Sequence, residues 1–79
     1  MPRAARIHYL EGKGESRREA LMAFLQQLKG RPGLLDACLL SSPAQPGLWL
    51  VESRWESEVP PLTVPEGCQH WSFEVQAEV

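Results

Sequence analysis

One stretch of this chain, residues 16–29, carries helical periodicity. Leu21, Phe24, Leu25 and Leu28 fall at i, i+3, i+4 and i+7, a single stripe along a helix. Ser16 and Glu19 have the spacing of a capping box, in which the hydroxyl takes a first-turn N–H and the carboxylate reaches back. Gly30 and Pro32 then end the helix, which the spacing predicts to be about fourteen residues long. Nothing later repeats the pattern. Residues 56–67 carry Pro60, Pro61, Pro65 and Gly67 and hold no regular helix beyond a turn.

What remains reads as strands. Residues 4–10 form the first, with Ile7 and Tyr9 on one face and Arg6 and His8 on the other; Gly12 and Gly14 are expected to break it. Residues 33–40 form an apolar second strand. A loop at 41–47 joins it in a hairpin to a third, Leu48 to Trp55. There Trp49, Val51, Ser53 and Trp55 share one face, and Leu48, Leu50, Glu52 and Arg54 the other. The last strand, Gln69 to Val79, alternates most cleanly: Trp71, Phe73, Val75, Ala77 and Val79 against His70, Ser72, Glu74, Gln76 and Glu78. It is long enough to run past its own sheet.

The order is β-α-β-β-(loop)-β, an α+β, ferredoxin-like antiparallel sheet with one main helix, in a single domain over residues 1–79. One helix covers one face of four strands, so the second face needs a cover. Leu48 and Leu50 lie on that face. A chain of 79 residues also buries only about 60–65% of its extended surface. Both facts point to a homodimer through the sheet face, since self-complementary two-fold pairing is the commonest oligomer.

Composition removes several classes. Two cysteines, Cys38 and Cys68, make no disulfide framework and read as free thiols packed for bulk. No Cys/His cluster has metal-ligand spacing, so no metal or other cofactor is called for. Net charge is −2, without the basic stripe of a nucleic-acid binder. No apolar run has the length of a membrane span, and no apolar core follows the charged residues 1–6 as in a signal peptide. The expected location is cytoplasmic. The lack of asparagine, six arginines against two lysines and frequent proline fit a thermophile.

This element order resembles the antibiotic-biosynthesis-monooxygenase-like family. So do Pro32-Gly33-Leu34-Leu35 after the helix and Leu50-Val51-Glu52-Ser53-Arg54-Trp55-Glu56-Ser57 on the third strand. The resemblance covers about residues 5–79. It implies a dimeric α+β barrel built from ferredoxin-like protomers. The family includes haem-degrading oxygenases, cofactor-independent quinone-forming oxygenases and small dimers with no assigned reaction. Its oxygenases use a tryptophan where Trp55 stands. Its haem-degrading branch also uses a first-strand asparagine, where Ala5 stands here, and a histidine on a second helix that the proline-rich segment replaces. Haem degradation is therefore not implied.

Candidate site residues follow. Trp55 is either a core ring or a wall on which a small aromatic substrate stacks. His8 and His70 titrate near neutrality and are candidate bases for a phenol proton, against the plainer reading of surface or interface histidines. Tyr9 and Arg54 could orient a substrate; the alternatives are a core ring with a bonded hydroxyl and an ion pair with Glu52. The expected activity is a cofactor-independent monooxygenase acting on a small aromatic. The alternatives are a non-catalytic dimeric module for a ligand or a protein, and a barrel whose pocket is filled.

Overall fold

The computed structural model describes residues 3–79; Met1 and Pro2, part of the segment weighed as a leader, lie outside the described residues. The chain folds as β1 (Arg6–Lys13), α1 (Glu15–Leu28), β2 (Leu34–Ser42), β3 (Gln45–Trp55) and β4 (Gln69–Glu74). The four strands form one antiparallel sheet in the order β2-β3-β1-β4. One helix on a four-stranded antiparallel sheet is an α+β arrangement compatible with a ferredoxin-like fold. Among the described residues no helix is long and apolar enough to cross a membrane.

The helical stripe does what its spacing requires. Leu21, Phe24 and Leu28 are buried against Leu10, Val51 and Trp55 of the two central strands, with Leu25 half-buried beside them. From β2, Ala37 and Leu39 complete that layer. Residues 56–68 form no helix, as their prolines dictate, but they are not idle. Val59, Leu62, Val64 and Cys68 pack on the same cluster, so the segment is a strap across the core. The thiols of Cys38 and Cys68 are both free.

Four boundaries differ from expectation. β1 continues to Lys13 instead of breaking at Gly12, which pairs with Trp49. Gly12 is there for space: a Cβ at this buried position would stand 2.9 Å from Arg17 Cβ and 3.1 Å from Leu21 Cδ1. A glycine inside a strand often marks such a close approach. The capping box does not form. The helix starts at Glu15 with Gly14 as its cap and no side-chain cap bond, which leaves Ser16 inside the first turn. Gly14 is held by backbone instead: its N–H donates to Gly47 at 2.8 Å and its carbonyl accepts from Arg18 at 3.0 Å.

The β2–β3 loop is also tighter than expected, with Ser42 paired to Gln45. β4 stops at Glu74, opposite Arg6, where β1 itself begins. Residues 75–79 run on past the sheet, tethered by Val75 N–H to the Ala5 carbonyl at 2.9 Å.

Candidate functional site

The sheet register brings the two histidines together. β1 and β4 are neighbours, with His8 opposite Ser72 and Leu10 opposite His70, so His8 and His70 are a diagonal pair on the helix-covered side. His8 Nε2 and His70 Nδ1 stand 3.0 Å apart. The ring centroids are 5.2 Å apart, so the bonded nitrogens lie nearly along the line between the rings, as in a hydrogen bond. His8 is 2% exposed and packs towards Phe24, whereas His70 is exposed.

Hydrogen-bond accounting assigns the proton between them. His8 Nδ1 is buried and has no partner among the described residues. A proton there would be a buried donor without an acceptor, which folded proteins avoid. His8 therefore carries its proton on Nε2 and donates to His70 Nδ1, and His70 carries its own on Nε2. In this arrangement the pair presents one outward N–H donor, at His70 Nε2.

Both rings line a groove of about 400 Å³, completed by Val59, Pro60, Pro61 and Leu62 of the strap and by Ser72. Its walls are mostly apolar, with the histidine pair and the serine hydroxyl as polar points. That is the common composition of a small-molecule site.

Burial, and secondarily the neighbouring His70, hold the His8 pKa below its ordinary 6.5. A histidine depressed in the folded state binds more protons when unfolded. Its contribution to stability is therefore complete above pH 6.5 and is lost as pH falls through the folded value. We expect urea denaturation midpoints to fall as pH is lowered below about 6.5, and His8→Leu to flatten that part of the profile. An unchanged profile in His8→Leu would rule out His8 as its source.

The other site candidates lie elsewhere. Trp55 is fully buried in the core, and its Nε1–H donates to Ser53 Oγ at 2.9 Å. It does not line the groove. Tyr9 and Arg54 face the opposite, uncovered side of the sheet. Tyr9 hydroxyl donates to Glu52 Oε2 at 3.0 Å, Arg54 Nε donates to Glu52 Oε1 at 3.2 Å, and Asp36 stands 4.0 Å from Arg54. Burial and the Glu52 carboxylate push the Tyr9 hydroxyl above its usual range. The side chain of Arg54, paired with Glu52, is held charged.

Sequence reasoning missed Ser72 and the strap as groove walls. It also put His8 on the more polar face of β1, opposite Ile7 and Tyr9. A signal was present: Leu10 is in phase with His8, so a buried Leu10 carries His8 to the core face. Among the described residues no group of three or more His, Cys, Asp or Glu is placed to hold a metal. Comparisons with protein-family models, with curated proteins and with solved structures give no match.

Proposed function

We propose that this chain is one half of a dimeric α+β barrel of the antibiotic-biosynthesis-monooxygenase-like kind, and that its groove binds a small aromatic compound bearing an acidic hydroxyl. The observation that carries the binding reading is the His8–His70 pair, 3.0 Å apart at the wall of an apolar groove. The walls suit a flat ring, and the outward nitrogen of His70 suits its hydroxyl or phenolate. This favours a ligand-binding module as the first reading, because Trp55, the wall that the resemblance implies, is sealed in the core.

Oxygenation of the bound compound is the second reading. It is favoured by the outward N–H of His70, which can hold a phenolate oxygen in the groove. A phenol and dioxygen balance to a quinone and water: one oxygen atom enters the ring and the other leaves as water.

The dimer half of the proposal rests on the uncovered sheet face. Trp71, Phe73 and Leu40 are 43%, 54% and 38% exposed there. Trp71 and Phe73 sit together on β4 beside Tyr9 and Ile7, an exposed apolar cluster of the kind that marks interfaces, and Leu40 lies at the far edge on β2.

Calorimetric titration with a dihydroxynaphthalene tests the site. Saturable binding that His70→Ala weakens about tenfold is the expected result. Undiminished binding in His70→Ala, or none in the parent chain, overturns it. An oxygen electrode separates the two readings: uptake with quinone absorbance supports oxygenation, and binding without uptake supports the module.

A further inference from the structure

A second concave site lies at the C-terminal end of β1, where the chain turns into α1. We infer that it receives a small oxyanion, a carboxylate or phosphate group, held by Arg17 and Lys13. The pocket is about 270 Å³ and is lined by Glu11, Gly12, Lys13, Arg17, Gly67 and Gln69.

Arg17 is the odd one among the arginines. Arg3 and Arg6 each face a carboxylate, Glu78 and Glu74, and Arg54 faces Glu52 and Asp36. The guanidinium of Arg18 lies over Trp49, 5.2 Å from the ring centre, and Arg31 donates to the Pro61 carbonyl. Arg17 has neither ion pair nor hydrogen bond among the described residues, and Lys13 beside it has none either.

Arg17 packs against two glycines. Its stem passes Gly12, where a Cβ would stand 2.9 Å from Arg17 Cβ. Its head lies against Gly67, where a Cβ would stand 2.7 Å from Cζ. Gly67 has φ +79, a conformation that other residues rarely adopt, so the backbone itself keeps this position bare. The planar fork of a guanidinium matches two oxygens of a carboxylate or phosphate. Lys13 adds a second positive charge, and the Gln69 amide can donate a further bond. Glu11 on the same wall leaves a net charge of +1 on the lining side chains, which suits one anionic group rather than a polyanion.

Inorganic phosphate and acetate, titrated separately at constant ionic strength and followed by amide NMR, test this. The expected result is saturable shifts at Gly12, Gly67 and Gln69 with at least one of the two ions; the ion that saturates at lower concentration identifies the phosphoryl or carboxylate source. Arg17→Met should raise the dissociation constant about tenfold or more. Its head group is outside the core, so the fold should survive, as an unchanged amide spectrum elsewhere would verify. His70→Ala, which alters the histidine groove, should leave this titration unchanged. Shifts that grow linearly without saturating, binding by Arg17→Met equal to the parent, or an equal loss in His70→Ala would each overturn the assignment.

Discussion

Trp55→Ala should cost about 3–5 kcal/mol, the range for deleting a large buried aromatic. The ring is fully buried at the meeting of β3, α1 and the strap-covered cluster, so the cavity it leaves has rigid walls on several sides. A domain of this length has a total stability of about 4–12 kcal/mol at the usual per-residue range, so the variant should sit at or near the edge of folding. Ser53 adds to the cost, because its buried hydroxyl loses the indole N–H that it accepts at 2.9 Å.

Trp55→Phe separates the two contributions. It retains most of the packing and removes the bond, and should cost about 1–2 kcal/mol. Urea denaturation of the three proteins measures both values. A loss below about 1 kcal/mol in Trp55→Ala would mean that the ring is not a structural member. The substrate-wall reading would then regain its force.

Phe73→Asp should convert a dimer to a monomer. Phe73 is the most exposed aromatic ring on the uncovered face, stacked edge-on against Tyr9 at 5.7 Å between centroids. If a second copy covers this face, a carboxylate there would be buried without a partner. Central aromatic positions of interfaces cost about 2 kcal/mol or more when lost, which is about 30-fold in the dissociation constant. Burying the new charge adds to that.

Sedimentation should give a species of twice 8.9 kDa for the parent chain and one of 8.9 kDa for the variant. A parent chain that stays monomeric would overturn the proposed barrel. The row Tyr9–Glu52–Arg54–Asp36 runs along the same face. An Arg54→Ala variant should therefore also weaken the dimer, and by less, since the pair with Glu52 is partly solvated.

Much of this fold is legible in the sequence because its signals are local. The stripe Leu21, Phe24, Leu25 and Leu28 fixes which side of the helix is buried. The alternation from Gln69 onward fixes that Trp71 and Phe73 share a face, and the prolines at 60, 61 and 65 forbid a second helix. What was not legible depends on contacts far along the chain. The capping box failed because Gly14 is tied to Gly47, a bond no local pattern announces. Gly12 read as a breaker, when its role is to let Arg17 and Leu21 approach. The histidine pair was hidden for the same reason: 62 residues separate His8 from His70, and their meeting depends on strand order alone.

Strand order has one more consequence, for how the chain acquires its structure. β1 is the first of the four strands in chain order and it lies inside the sheet, between β3 and β4. Its neighbours come from far downstream: Arg6 pairs with Trp55 on one side and with Glu74 on the other. One edge of β1 is fully paired only once residue 55 is in place, and the other only once residue 74 is. Long-range pairings of this kind slow folding and leave strand edges open in the interim. The helix and the β2–β3 hairpin, by contrast, can form from neighbouring residues. Assembly should therefore proceed from the middle outward, with the amino-terminal strand the last to gain its full complement of hydrogen bonds.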